Sequence, residues 1–311
     1  MLMLYFLYML TRYAQYNLVW IDIISPTAAE IRSLMHEFGI DQAMAQELLL
    51  PSYRQKIEKR GEMTAAVLHF PALRGMGSRP QQEIDFIIGR NFLITTRYET
   101  IGPMHAFAKT FEVNTVLGRN QQGLHAGHLF VDMVGNLYQA LVEESELLHQ
   151  QLNNIEDRIF SGDEKRMVAE LSQTGRTIHD FRQSLIPHHE MLRSLGPALN
   201  RQFGQEFSFY LNELEGVYMR VERTLANLRE EVTELRETNN SLLSTKQNEV
   251  MKNFTVLAFF FFPLNFIGEV FLMFYYTHSA SNMTELFWGV IVMMALLATG
   301  LFLYFKRKGW L

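Results

Sequence analysis

The spacing of apolar and polar positions changes character twice along the chain. Up to about residue 120, short apolar runs alternate with stretches of helical spacing. The opening run MLMLYFLYML, residues 1–10, is too short to span a bilayer. It has no basic n-region and no small-residue cleavage site. It reads as a buried first strand, with a membrane-surface anchor as the alternative. Residues 18–23 read as a strand. Ser25-Pro26-Thr27 then starts a helix, with Thr27 and Glu30 spaced as a capping box and Gly39 as its stop. Asp41 caps a second short helix that ends before Pro51. Strand-like runs follow at 53–59, 63–70, 83–88 and 92–98, the last two flanking the turn residues Gly89-Arg90-Asn91. A helix over 103–117 closes this part.

From His128 the period becomes helical. Leu137, Leu141, Leu148, Leu152, Ile155 and Ile159 form a stripe that Ser161-Gly162 breaks. Asp163 is placed to cap the next helix, which runs to about Leu185 before Pro187. Then Phe207, Leu211, Leu214, Tyr218, Val221, Leu225, Leu228, Val232, Leu235, Asn239 and Leu242 alternate steps of four and three. Such a heptad seam predicts a coiled coil or, where it runs on into a membrane span, a stalk that connects a soluble sensor to a pore. No proline lies between Pro197 and Pro263, so the helix is expected to continue as a stalk into the apolar region beyond it.

That region is the third regime. Residues 254–276 carry one charge, Glu269, and residues 287–305 carry none. About 20 apolar residues cross a hydrocarbon core, so both are expected to span a membrane. Two buried core helices are the alternative. The linker 277–286 has no Lys or Arg, while Lys306, Arg307 and Lys308 follow the second segment. Positive charge favours the cytoplasmic side, which places both termini inside.

Composition narrows the function. Hydrophobic residues are 48% and charged residues 20%, but the charges lie mostly before residue 253. The net charge of −5, with no long basic stripe, argues against a nucleic-acid partner. With no cysteine there is no disulfide, thiolate metal site or cysteine nucleophile. No phosphate-binding glycine loop, Gly-x-Ser-x-Gly or His-Glu-x-x-His is present, so no enzyme is expected. His188 and His189, in PHHE, point about 100° apart on a helix and make a poor chelate; a surface turn is expected there. His125 and His128 could share a face, a weak metal signal without a third ligand.

Three stretches carry a family resemblance. NEVMKNFTVLAFFFFPLNFI (248–267), MTEL (283–286) and YFKRKGWL (304–311) resemble the first membrane helix, the outer Met-Pro-Glu-Leu loop and the basic tail of CorA-type divalent-cation channels. The layout resembles that family throughout. It implies a cytoplasmic α/β domain (1–122), a helical stalk (123–253), a pore-lining first span (254–276), an outer loop (277–286), a second span (287–305) and a cytoplasmic basic tail (306–311). It also implies a funnel-shaped homopentamer in the inner or plasma membrane, with itself and membrane lipids as partners.

The resemblance places Asn248, Met251, Phe254, Ala258, Phe262 and Asn265 along the pore. Glu269, Met273, Phe274 and Glu285 fall at the outer mouth. The family's Tyr-Gly-Met-Asn signature is replaced by Phe271-Leu272-Met273-Phe274, which keeps only the Met. Glu269 either rings the mouth and attracts cations or is simply solvated at the interface. Regulatory magnesium is implied at Glu213 on the long helix, with Glu215 and Glu206 nearby and Asp85 and Glu83 as partners; a solvated acidic face is the plain alternative. The expected activity is a magnesium channel, with cobalt as a second ion, gated by cytosolic divalent cations. The alternatives are a non-conducting scaffold or sensor and a transporter for zinc or nickel.

Overall fold

The computed structural model describes residues 9–72, 81–116, 125–277 and 283–310. The strand expected over residues 1–10 therefore lies mostly outside the described residues. The chain divides into two compact units, Met1–Leu235 and Arg236–Leu311.

Among the described residues, the first unit is a mixed α/β structure built on six strands: β1 (Met9–Gln15), β2 (Leu18–Ile24), β3 (Lys56–Arg60), β4 (Met63–Pro71), β5 (Gln81–Ile88) and β6 (Phe92–Arg97). Their order is β1-β2-β6-β5-β4-β3. Only β2 and β6 run parallel; every other neighbouring pair is antiparallel. The β5–β6 pair closes over Gly89-Arg90-Asn91 as its turn composition predicts, with Gly89 N–H donating to Phe92 O at 2.9 Å.

Alternation assigns each face of the sheet to a helical layer. Ile21, Ile23, Ala65, Ile87 and Ile94 meet helices α1 (Ala28–Phe38) and α2 (Gln42–Glu47) through Ile31, Leu34, Met44 and Ala45. Helix α1 starts on the predicted capping box, Thr27 Oγ1 accepting from Glu30 N–H and the Glu30 carboxylate accepting from Thr27 N–H at 2.9 Å. It ends at Gly39 in the left-handed region, φ 68°. Asp41 caps α2 with two 2.8 Å bonds to Oδ1.

The opposite face carries Trp20, Phe70 and Phe86. These rings meet α3 (Gly102–Val116), α4 (Ala126–Phe160) and His188 through Phe107, Phe130 and Tyr138. A buried polar network crosses it. Arg97 donates to both Asp22 oxygens, at 2.8 and 3.3 Å, Thr95 Oγ1 donates to Asp22, and Trp20 Nε1 donates to Thr95.

Helices α5 (Glu164–Leu185), α6 (His188–Phe203) and α7 (Ser208–Thr277) complete the bundle after α4. The stripe on α4 and the seam on α7 are both buried: Leu137, Leu152, Ile159, Val221 and Leu225 are all at most 4% exposed. The seam packs within the chain. Tyr218 donates to Leu185 O at 3.3 Å and lies 5.8 Å from Tyr138, and Glu231 pairs with His149 at 3.1 Å.

Two readings of the sequence are corrected here. Asp163 precedes α5 but makes no side-chain cap; its carboxylate pairs instead with Arg158 at 3.0 Å. Residues 188–203, where the pattern predicts only a surface turn at PHHE, form α6. Gly196 and Pro197 discourage a helix locally, yet Met191, Leu192, Leu195 and Leu199 bury one face of it.

Candidate functional site

The second unit holds the rest of α7 and α8 (Met283–Arg307), each long and apolar enough to cross a membrane. They pack antiparallel. Phe271 lies 6.0 Å from Phe287 at one end, and Phe259 and Phe260 lie 6.1 and 5.9 Å from Phe305 at the other. Helix α7 passes through Pro263 without interruption. Two hydroxyls within these helices are satisfied internally, Thr255 donating to Met251 O and Thr299 to Ala295 O.

The side chains of α7 that line the seam with α8 include Val256, Phe260, Leu264, Ile267 and Phe271. At 100° per residue, the row Met251, Phe254, Ala258, Phe262, Asn265 and Glu269 points about 170° away from them. Except for Ala258, which is half-buried, each member of that row is exposed, as is Asn248 one turn earlier. Two polar side chains, Asn265 and Glu269, thus sit a turn apart on the face that α8 does not cover. Exposed Met273 lies near the same side. Phe274 does not: it lines an apolar groove with Leu286, Val290 and Met293 of α8. Glu285 is exposed at the start of α8. Gly268 makes no close approach, since a Cβ there would meet nothing within 4 Å.

The expected regulatory carboxylates stand in four separate settings of the first unit. Glu213 is exposed on α7 and faces Asp132 of α4, whose carboxyl is raised by burial and by Glu213. Glu215 lies 4.0 Å from His189, and Glu206 is exposed in the short 3-10 turn before α7. Asp85 is 2% exposed on β5; Thr96 Oγ1 donates to its Oδ2 at 2.7 Å while Oδ1 has no partner. Neighbouring Glu83 accepts Ser52 N–H at 2.8 and 2.9 Å. Burial, with the Glu83 charge second, holds the Asp85 carboxyl well above the ordinary range. Glu83, His69 and Tyr98 line a cleft of about 570 Å³ beside it. Among the described residues, no group of three His, Asp or Glu side chains converges to hold a metal ion.

His125, His128 and His188 serve the fold. His188, expected in a surface turn, is fully buried. Its Nε2–H donates to His69 O at 2.9 Å, so Nδ1 accepts the Tyr138 hydroxyl at 2.7 Å. Burial lowers its pKa to about 4. His125 and His128 do not present a shared metal face: both Nδ1 atoms accept backbone N–H groups at the start of α4, and His125 stacks on Phe203 at 4.1 Å.

Comparison with known proteins adds the following. The family described as CorA-like Mg2+ transporter protein matches residues 16–307. The cobalt/magnesium transport protein CorA of Thermotoga maritima is 24% identical over 299 residues, covering 94% of this chain and 83% of its own length. The complete CorA magnesium transporter structure from Methanocaldococcus jannaschii superposes with a TM-score of 0.82 at 20% identity, over 96% of this chain and 93% of that one. Full-length CmaX superposes with a TM-score of 0.72 at 16% identity, over 94% and 89%.

Proposed function

The chain belongs to the family of CorA-like Mg2+ transporter proteins, divalent-cation transporters, and has two membrane spans; from that premise we propose that it conducts magnesium, with cobalt as a second ion, through a pore assembled from copies of itself. The supporting observation is the uncovered face of α7. A carboxylate within a membrane segment costs about 2.5–3.5 kcal/mol at the bilayer centre unless it meets water or protein. Glu269 and Asn265 share the face opposite α8, so an aqueous pore between copies relieves that cost. Rings of Asn248 and Asn265 amide oxygens suit magnesium that keeps its water shell, because this ion dehydrates reluctantly. A ring of Glu269 at the outer mouth supplies cation attraction. Met251, Phe254 and Phe262 form apolar constrictions that close by dewetting. The assembly is a homopentamer with both termini cytoplasmic, by likeness to the family and by the basic residues after α8.

Gating follows from cytosolic divalent cations bound between copies at carboxylates such as Glu213 and Glu215; Asp85, 2% exposed and held toward its neutral form by burial, does not present its carboxylate to such an interface. A second reading rests on one feature, the bulk of Phe254 and Phe262 in the same exposed row: a pore too tight to conduct leaves a membrane scaffold. Uptake of magnesium, cobalt and zinc into proteoliposomes, with and without internal magnesium, separates the two. The proposal predicts magnesium uptake that internal magnesium slows and that Glu269→Gln lowers several-fold. No flux of any ion selects the scaffold, and uptake indifferent to Glu269→Gln removes the charged ring.

A further inference from the structure

Helix α8 does not end in a loose basic tail. Gly309 has φ 68°, Trp310 N–H donates to Phe305 O at 3.0 Å, and Gly309 N–H donates to Lys306 O at 3.2 Å. This is a Schellman stop with glycine at its left-handed position. It folds Trp310 back so that its ring stacks on Phe305 at 5.9 Å. Lys308 lies over the Trp310 ring at 4.8 Å and over Tyr304 at 5.8 Å. The folded Trp310 forms one wall of an apolar groove of about 490 Å³ between the two spans, with Val256, Phe260, Leu264 and Phe302. Asn253 marks the groove's end nearest the basic residues. Lys252, Lys306, Arg307 and Lys308 form no ion pair among the described residues, and Glu249, the nearest carboxylate on α7, pairs with none of them.

We propose that this groove is a binding site for an anionic phospholipid of the cytoplasmic leaflet. The acyl chain lies between Phe260, Leu264 and Phe302, and the phosphate meets the unpaired cations led by Lys308. Length and charge both select this occupant. Asn253 to Leu264 rises about 17 Å along α7, close to the ~15 Å depth of one leaflet. Four cations without carboxylate partners among the described residues complement a phosphate, whereas a neighbouring apolar helix would leave them unmatched. Interfacial Trp and Lys anchor many membrane helices without choosing a headgroup, so headgroup choice is the discriminating property. The site needs only that the spans lie in a bilayer with the end of α8 on the cytoplasmic side, as its basic residues favour. It stands or falls independently of conduction.

The test uses the full chain carrying Trp288→Phe in bilayers of mixed phosphatidylcholine and phosphatidylglycerol. Trp20 is fully buried, so Trp310 reports. Phosphatidylglycerol with brominated chains should quench Trp310 more strongly than brominated phosphatidylcholine, with an apparent preference of roughly fivefold for one engaged cation. Lys308→Gln, which keeps Lys306 and Arg307 to hold topology, should bring that preference close to one. Equal quenching by both lipids in the parent protein reduces the site to ordinary surrounding lipid and overturns the proposal. Absence of quenching by either lipid means that another chain seals the groove, which overturns it as well.

Discussion

His188→Gln tests the least expected feature of the first unit, a neutral histidine enclosed between the sheet and the helices. At neutral pH the imidazole makes two buried hydrogen bonds, to Tyr138 and to His69 O. Losing or distorting them should cost about 1–3 kcal/mol. The pH dependence is more specific. Burial holds the folded-state pKa at about 4, below the ordinary 6.5. The unfolded chain therefore takes up a proton between pH 6.5 and 4 that the folded chain refuses. Stability contributed by this residue is complete above pH 6.5 and is lost as pH falls through that window. The depression corresponds to about 3 kcal/mol, at 1.36 kcal/mol per pH unit. Glutamine does not titrate, so the wild-type advantage at pH 7 should vanish near pH 4. Thermal melts of both proteins in detergent, followed by far-ultraviolet circular dichroism at half-unit pH steps, read the difference directly. A 3 kcal/mol change moves the midpoint of a unit this size by roughly 6–12 °C. His125, lowered to about 4 as well, is common to both proteins and cancels. A gap between the two melting curves that stays constant from pH 7 to 4 would refute the reasoning.

Asp85→Asn should do the opposite. Its carboxyl is raised in the folded state, so the wild type loses stability as pH rises from about 4. The variant should melt higher at pH 8 and match the wild type near pH 4; a lower midpoint at pH 8 would show that a cation holds the charged form. Arg97→Met strands the Asp22 carboxylate, 8% exposed, and should cost about 3–5 kcal/mol. Much of that should return in the Asp22→Asn/Arg97→Met double variant, and its failure to return would locate the cost in packing. Leu225→Ala, at a fully buried seam position, should cost about 2–5 kcal/mol, against little change for exposed Met219→Ala measured in the same melts.

Periodicity alone carried the secondary structure a long way. Strand alternation, the Thr27–Glu30 capping box, the heptad seam and the two apolar segments are local signals, set by which side chains recur at which spacing. They locate β2 to β6, α1 to α5, α7 and α8, although the pattern starts the β3 run three residues early. The motifs near residues 248–267 and 283–311 also carried the family. The misses share a cause. Helix α6 contains Gly196 and Pro197, and only burial of Leu195 and Leu199 against the rest of the unit outweighs their low propensity. PHHE looked like a turn because the partners of His188 lie 50 and 119 residues away, at Tyr138 and His69. Asp163 looked like a cap because spacing cannot show that Arg158 competes for its carboxylate.

For the membrane unit the division is sharper. The sequence by itself determined that two apolar helices exist and that Asn265 and Glu269 lie on one row of the first. Which row of α7 packs against α8 is a property of two helices together. The fit of Phe271 against Phe287 and of Phe260 against Phe305 leaves the Asn265–Glu269 row uncovered and puts Phe274 in the groove. Likewise, the three basic residues at the end of α8 are plain in the chain, but the turn at Gly309 that sets Trp310 in the wall of a groove, with Lys308 over its ring, is a tertiary decision. Contacts distant in sequence choose among faces that local spacing leaves equivalent.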